Sequence, residues 1–296
     1  MKPRELSRAV IDGARSVAKE AGVRAVFLNA DLLPDPTQLA GLFGETEVVL
    51  FTRKRRQAVE LEGVMDKIIC LPPVNLKRIE QIKLAALLAL SKGYLQPGDL
   101  ILFLSGVQHL GALDTMVVME VGEEFEIFSL EEGASFVKVV EPEVFAKVVD
   151  LAVELGQEGR EGKPVGGLFV LGDTEAVMRY ADQLVLNPFQ GYPEERRNIL
   201  DSHIMESVKE FCAIDGAFII RSDGVIVTAG AFLRPPLAGE DLPQGLGARH
   251  AVAASMSAST DAVLVTLSES NGTVRIFKGG RMVTEIEQGP RKRGGK

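Results

Sequence analysis

The feature that most limits the fold of this chain is the alternation of short strand-like runs with helical stretches in its first half. Apolar strand-like runs over residues 25–28, 47–52 and 100–104 are separated by stretches with helical spacing, such as residues 76–92. Alternating β and α elements are typical of a mostly parallel sheet covered by helices. We therefore predict a three-layer α/β domain over residues 1–155.

A glycine-rich, charged segment follows the first half and predicts a linker over residues 156–166. Beyond it, strand-like runs recur and predict a second α/β domain over residues 167–290, with a mixed sheet flanked by helices. The helices predicted in this domain include residues 174–183 and 194–212. Residues 291–296 are basic and are expected to form a disordered tail.

The composition excludes several classes of protein. With 46% hydrophobic and 25% charged residues, the 296-residue chain has enough apolar surface for a folded core. Cys70 and Cys212 are too few for a disulfide framework or a cysteine-rich zinc site, which favours a reducing compartment. The apolar run 84–90 is far shorter than the roughly 20 residues that span a bilayer. The first ten residues lack the apolar core of a signal peptide, so we expect a cytoplasmic protein with no membrane partner.

Charge and known motifs exclude further classes. A net charge of −8 disfavours a nucleic-acid binder that neutralises many phosphates. Residues 156–163 have the wrong spacing for a phosphate loop, and residues 245–250 lack the preceding strand of a dinucleotide-binding fingerprint. The three histidines show no metal-ligand spacing. A polyanionic ligand would therefore need a local cluster of donors.

One such cluster is the glycine-rich entry to a helix predicted over residues 248–259. Gly247 permits close approach of the backbone, the first amides of the helix are unpaired donors, and Arg249 and His250 add charge and hydrogen bonds. Together these features predict an anion-binding cradle. On spacing alone, glycines that only turn the chain beside a solvated Arg249 fit the sequence equally well.

Two acidic segments also lie at the ends of apolar elements. Asp215 and Gly216 precede an apolar run, where the carboxylate can hold a divalent ion that is bound to phosphate oxygens. Glu269, between Ser268 and Ser270 at a later strand end, can help to hold the ion. Taken singly, each segment is explained more simply as a polar turn.

The order of these segments resembles that of the diadenylate cyclase domain, a family that joins two ATP molecules into cyclic di-AMP. Asp215-Gly216-Ala217 corresponds to the DGA motif, Arg249-His250 to the start of an RHR motif, and Ser268-Glu269-Ser270 to an SEE-like segment. The resemblance covers roughly residues 166–287. The first half resembles the C-terminal domain of pyruvate kinases, notably around GDLILFLSGV, and archaeal diadenylate cyclases pair these two domains.

The resemblance implies a metal-dependent nucleotidyltransferase whose substrate is ATP. It implies that Asp215, Arg249 and His250 are catalytic, and that Asp215 and Glu269 hold a Mg²⁺ or Mn²⁺ ion. The residues it implies for substrate binding are Gly216, Ala217, Gly247, Ala248, Ser268 and Glu269. Because cyclic di-AMP is two-fold symmetric, two domains must face one another, so at least a homodimer is expected.

Two departures from the family pattern are expected to weaken the site rather than abolish it. Ala248 and Ala251 stand where most members have a threonine and a second arginine. Loss of one charge-assisted phosphate contact costs about 1.5–3 kcal/mol, or ten- to a hundredfold in binding or rate. Arg234 or another basic side chain could take over such a contact. The alternatives left open are a nucleotide-binding sensor that has lost turnover, and an allosteric scaffold whose first half is the functional part.

Overall fold

The computed structural model describes residues 2–33, 35–37, 41–74, 76–106, 110–122, 139–236 and 247–287. The chain divides into two compact units, Met1–Gly133 and Ala134–Lys296. Each unit is built on one sheet.

Unit 1 is a sheet with helices on both faces. Its described strands have the order β3-β2-β1-β4-β5, and all neighbours are parallel except β4 and β5. The strands are β1 (Ala25–Asn29), β2 (Glu47–Thr52), β3 (Ile68–Cys70), β4 (Leu100–Ser105) and β5 (Thr115–Glu120). The helices are α1 (Pro3–Ala21), α2 (Arg55–Glu62) and α3 (Arg78–Ser91).

The layers of unit 1 follow from the two-residue alternation of its strands. Val26 and Leu28 face one side of the sheet, where they form a buried cluster with residues of α1 and α2. Phe27 and Phe103 face the opposite side and stack with ring centroids 4.3 Å apart. Helix α3 packs against β3 and β4. The three-layer α/β/α fold predicted from the sequence is confirmed.

Unit 2 contains a mixed sheet of the order β12-β11-β10-β6-β8-β9-β7 within the described residues. Only the β6–β8 pair is parallel among these neighbours. The strands are β6 (Gly167–Leu171), β7 (Ala181–Gln183), β8 (Ala217–Ile220), β9 (Ile226–Leu233), β10 (Val263–Leu267), β11 (Val274–Lys278) and β12 (Arg281–Ile286). The helices are α4 (Pro142–Glu158), α5 (Thr174–Met178), α6 (Met205–Phe211) and α7 (Ala248–Ser259).

Helices pack on this second sheet through small or branched apolar residues. Ala253, Ala254 and Met256 of α7 lie in one buried cluster with alternate residues of β6, β8 and β10. Because alanine side chains are short, α7 lies close to the sheet, and its N-terminus reaches the ends of the central strands. The mixed sheet flanked by helices is therefore confirmed.

The predicted boundary between the domains needs correction. Residues 156–166 do not separate the units, because α4 extends to Glu158 and packs against β6, β10 and β11 of unit 2. Arg160 and Lys163 then form a tight hydrogen-bonded bridge. Helix α4 joins unit 2 because its apolar face is buried by that sheet, so the division lies upstream, between residues 133 and 134.

Two predicted helices of unit 2 also need correction. Residues 194–212 contain two short 3₁₀ turns before α6, because the Asn198 and Asp201 side chains accept hydrogen bonds from backbone amides two residues ahead. The helix predicted over 174–183 ends at Met178, and β7 pairs instead with β9. The apolar run over residues 125–129, which the sequence favours as a strand, and the predicted tail 291–296 lie outside the described residues.

Candidate active site

A cavity of about 1050 Å³ lies in unit 2, and the three sequence segments that carry polar candidates meet at its wall. The loop before β8, the N-terminus of α7 and the hairpin between β10 and β11 all contribute to it. All nine candidate residues line this cavity: Asp215, Gly216, Ala217, Gly247, Ala248, Arg249, His250, Ser268 and Glu269. These residues are up to about fifty positions apart in the sequence, and the fold of the sheet brings them together.

The loop before β8 depends on a glycine. Gly216 has a φ of +117°, in the region that favours glycine, and a Cβ there would lie 2.5 Å from the carbonyl carbon of Gly230. The backbones of the loop and of β9 therefore touch at this position. This close approach leaves the carboxylate of Asp215, with a 90% exposed side chain, at the rim of the cavity.

The N-terminus of α7 supplies donors to the same cavity. Gly247 is the N-cap in an extended conformation, and its lack of a side chain leaves the first turn without a side-chain cap. The first amides of a helix have no intrahelical acceptor and lie at the positive end of the helix dipole. Together with Arg249, they make this wall a site for an anion.

Arg249 connects two of the acidic segments. Its Nη2 atom donates to Oδ1 of Asp215 at 3.0 Å, and its Nη1 atom lies 3.6 Å from Oε2 of Glu269. Exposed ion pairs of this kind contribute little to stability, about 0–1 kcal/mol. Their effect here is positional, because the two carboxylates orient the guanidinium in the cavity.

Gly166 sets the space available to Arg249. A Cβ at this position would lie 2.5 Å from Nη1 of Arg249, which is the free end of a flexible side chain. We expect Gly166→Ala to displace the guanidinium from Glu269 and to weaken binding of an anionic ligand about ten- to a hundredfold, because one charge-assisted contact is misplaced. Titration calorimetry with ATP and thermal unfolding would check this. Unchanged affinity, with Arg249 displaced in a crystal structure of the variant, would contradict the expectation.

The β10–β11 hairpin carries the second acidic segment. The carbonyl oxygen of Ser268 accepts a hydrogen bond from the amide of Gly272, and the amide of Ser268 donates to the carbonyl oxygen of Thr273, both at 2.9 Å. The turn is therefore closed by backbone hydrogen bonds. The hydroxyls of Ser268 and Ser270 lie 3.1 Å apart. Glu269 stands between these serines at the rim of the cavity. The predicted turn and the predicted site role are therefore compatible, since one hairpin provides both.

His250 differs from the other candidates because it is 93% buried, with a relative exposure of 7%. Its Nε2 atom lies 3.1 Å from Nη1 of Arg275 on β11. Burial lowers the pKa of His250 below its ordinary value, and the positive charges of Arg275 and Arg249 lower it further. The ring is therefore neutral near pH 7, and it does not add a positive charge to the site.

Arg275 is a lining residue that sequence reasoning missed. Its side chain is only 13% exposed, and the guanidinium pairs with Glu285 of β12 at 3.1 Å. The strand pattern carried no signal for it, because a charged residue between the buried Val274 and Ile276 fits the ordinary alternation of a half-buried strand. Arg234, which the sequence offered as a substitute for the missing arginine, is instead paired with Asp182 at 3.1 Å and is exposed. It does not line the cavity.

The rest of the cavity wall is apolar, and the sequence did not predict it either. The apolar lining residues include Leu168, Leu184, Ala231, Phe232, Leu233 and Val252. Leu184 and Phe232 are about half exposed, at 52% and 45%. An apolar wall beside a positive helix N-terminus suits a ligand with a flat apolar part and an anionic part.

The donor set fits a hard divalent ion only in part. Among the described residues, no group of three or more His, Cys, Asp or Glu side chains is placed to hold a metal ion. Asp215 and Glu269 supply two carboxylates on either side of Arg249. Mg²⁺ is commonly held by one or two carboxylates together with water and substrate phosphates. The residues therefore fit an ion that is shared with a phosphorylated ligand.

No described helix combines the length and the apolar composition needed to cross a bilayer.

Family models match both halves of the chain. Residues 154–282 match the model described as DisA bacterial checkpoint controller nucleotide-binding. Residues 6–128 match the model described as probable sensor domain DacZ_P. Two solved structures also show a likeness, DacA from Staphylococcus aureus (21% identity, 47% of this chain and 84% of that one, TM-score 0.33) and a pyruvate kinase from Cryptosporidium parvum (17% identity, 39% and 22%, TM-score 0.31).

Two curated relatives are named diadenylate cyclase. The protein from Methanocaldococcus jannaschii is 43% identical over 178 residues, which are 60% of this chain and 56% of the relative. The chain therefore spans little more than half the length of that relative. The protein from Haloferax volcanii is 34% identical over 248 residues, 83% of this chain and 87% of the relative. The second relative is matched over nearly its whole length, and a family model matches the part of the chain that contains the cavity. The chain therefore belongs to the diadenylate cyclase family.

Proposed function

We propose that this protein condenses two ATP molecules into cyclic di-AMP and two pyrophosphates. The observation that carries the proposal is the convergence of Asp215, Arg249 and Glu269 at one cavity, beside the N-terminus of α7. The family relationship supports the same reaction. The apolar wall around Phe232 would bind adenine, and the charged wall would bind the triphosphate.

The reaction forms two phosphodiester bonds. Each ATP offers its 3′-hydroxyl oxygen to the α-phosphorus of the other, and each bond from the α-phosphorus to the pyrophosphate oxygen breaks. The two hydroxyl protons pass to solvent. Such transfers depend mainly on in-line positioning and on stabilisation of charge at the phosphoryl group, so the protein need not supply a covalent nucleophile.

The side chains of the cavity are suited to these demands. Arg249 is already oriented by two carboxylates, so its guanidinium can bind phosphate oxygens with little loss of freedom. The amides of Gly247 and Ala248 can donate to the same phosphate group. Asp215 and Glu269 would hold a Mg²⁺ or Mn²⁺ ion, which when bound would stabilise negative charge on the α-phosphate and favour ionisation of the hydroxyl.

A pair of chains is required by the symmetry of the product. Each cavity would hold one ATP, and two cavities must face one another so that each hydroxyl reaches the opposite α-phosphorus. We therefore propose that the active form is at least a homodimer. The cytoplasmic location stays a prediction.

A direct assay tests the proposal. The purified full chain is incubated with ATP and Mn²⁺, and products are separated by anion exchange and identified by mass spectrometry. Formation of cyclic di-AMP, with one pyrophosphate released for each new phosphodiester bond, supports the proposed cyclase activity. Tight binding of ATP by calorimetry without any product would overturn it and would support a nucleotide-binding sensor. That alternative is favoured by Ala248, which lines the cavity without the usual hydroxyl.

Subunit mixing tests the requirement for two competent cavities. We expect an equal mixture of native chain and Asp215→Asn, after subunit exchange, to make cyclic di-AMP at about one quarter of the native rate, because only native pairs close both bonds. Mixed pairs should release a linear dinucleotide with one bond formed. A rate of one half with no linear product would show that a single chain completes the reaction and would contradict the face-to-face pair.

A further inference from the structure

Three side chains from three elements form a chain of contacts behind the charged wall. Glu285 of β12 accepts from Nε of Arg275 at 3.1 Å, and Nη1 of Arg275 lies 3.1 Å from Nε2 of His250 on α7. Arg275 and Glu285 are opposite each other in the antiparallel β11–β12 pair, so the strand register sets their contact. Both His250 and Arg275 line the cavity.

The contact between Arg275 and His250 determines the position of the histidine proton. A guanidinium has five N–H donors and no acceptor, so Nε2 of His250 must be the acceptor in this hydrogen bond. In a neutral imidazole the other nitrogen then carries the proton, since the bond made by one ring nitrogen sets the tautomer of the other. His250 is therefore an Nδ1–H donor.

The Nδ1 atom of His250 is buried and makes no hydrogen bond of normal geometry within the described residues, while the backbone carbonyl of Gly247 lies close enough to act on the pKa of the ring. Buried donors are nearly always satisfied, so the Nδ1–H group needs either this carbonyl or a ligand oxygen as its acceptor. The charged groups facing the ring are Arg275 from β11, with Glu285 behind it, and Arg249 from the same helix. A third positive charge on the imidazole would be opposed by both arginines.

We propose that Arg275, anchored by Glu285, is a positioning residue that fixes His250 as the neutral Nδ1–H tautomer, so that His250 donates a hydrogen bond to a nucleotide oxygen. The part concerning the nucleotide rests on the proposed function. The proposal assigns the charge at this wall to Arg249 and Arg275 and makes His250 a neutral donor. A second arginine at position 251, which is exposed on α7, is then not needed beside His250.

Nuclear magnetic resonance tests the tautomer without any reaction. The chain has three histidines, so nitrogen-15 labelling gives three ring systems, and His250→Gln identifies the signals of His250. We expect Nδ1 protonated and Nε2 unprotonated near pH 7. In Arg275→Met, which has no donor, we expect the Nε2–H tautomer to appear and the titration midpoint to rise towards 6.5, the ordinary value for histidine. A native spectrum with Nε2 protonated would overturn the proposal, whatever the activity.

Kinetic measurements complete the test. We expect Arg275→Met to lower the rate of cyclic di-AMP formation about tenfold and to introduce a new dependence on pH below 7, because His250 then titrates. Arg275→Lys, which keeps a donor, should restore the native tautomer and most of the rate. Glu285→Gln provides a milder variant if Arg275→Met fails to fold, with partial loss of the Nδ1–H form expected. Arg234→Met is the matched control, since Arg234 lies outside the cavity, and its spectrum and rate should be native.

The outcomes separate the inference from the proposed function. If the chain shows the Nδ1–H tautomer but makes no cyclic di-AMP, the role of Arg275 in fixing the tautomer is supported and the proposed cyclase function is wrong. A chain that makes cyclic di-AMP and keeps the same tautomer and pH profile in Arg275→Met overturns the positioning role alone. Addition of a non-hydrolysable ATP analogue should shift the Nδ1–H resonance of the native chain, and an unshifted resonance at saturation would overturn donation to the nucleotide.

Discussion

Asp215→Asn is expected to lower the rate of cyclic di-AMP formation about a hundredfold or more. The asparagine keeps the shape of the side chain but removes the negative charge that orients Arg249 and that would hold the divalent ion. Because the Asp215 side chain is 90% exposed, its loss should leave the free energy of unfolding within about 0.5 kcal/mol of the native value. Product formation with Mn²⁺ and thermal unfolding of the same preparation measure both effects.

Asp223→Asn is the matched control for this substitution. Asp223 also precedes a glycine in unit 2, but it lies in the β8–β9 turn, where it pairs with Arg221 at 2.6 Å and does not line the cavity. Its replacement should leave the rate of product formation unchanged. If Asp223→Asn and Asp215→Asn reduced the rate equally, the loss would reflect altered folding of the unit, and the role proposed for Asp215 would be wrong.

Gly216→Ala is expected to destabilise unit 2 by about 2–5 kcal/mol, because the substitution combines backbone strain with steric overlap. The φ of +117° is unfavourable for alanine, and the added Cβ would lie 2.5 and 2.7 Å from backbone atoms of Gly230 and 2.8 Å from the amide nitrogen of Ala231. These are backbone atoms of β9, so a rotamer change cannot relieve the overlap. Denaturant unfolding, monitored on the transition that ATP shifts, reports the stability of this unit.

Gly247→Ala tests whether the loss of stability is specific to position 216 or follows replacement of any glycine that lines the cavity. Gly247 has a φ of −73°, and a Cβ there would meet no atom within 4 Å. Its replacement should change the free energy of unfolding by less than about 1 kcal/mol. Equal destabilisation by the two substitutions would contradict the close approach of the loop to β9 as the reason for Gly216.

Much of the candidate site was predictable because its residues lie at the ends of recognisable elements. Asp215, Arg249 and Glu269 each stand where an apolar run or a helix begins or ends, and such ends gather at one edge of a sheet. Arg275 was not predictable in the same way. Its partners His250 and Glu285 come from elements 25 and 10 positions away, and only the strand register and the packing of α7 bring the three together.

The elements of the fold also differ in how well the sequence predicted them. Strand β2 was predicted at its observed bounds, because a dense apolar run leaves few alternatives. The predicted helix over 194–212 failed, because Asn198 bonds to backbone atoms of Leu200 and Asp223 and thereby favours turns. A helical spacing of apolar residues does not reveal these competing bonds, and the bond to Asp223 also depends on a distant segment.

By itself, the sequence determined that the chain forms two α/β units and that acidic and basic candidates lie at element ends. Local patterns suffice for this, because propensity and apolar periodicity act over a few residues. Only the tertiary structure decided that α4 belongs to unit 2, that Arg249 lies between Asp215 and Glu269, and that the donor on His250 is Nδ1. These facts depend on which surfaces bury one another and on which strands pair, and those contacts join residues far apart in the chain.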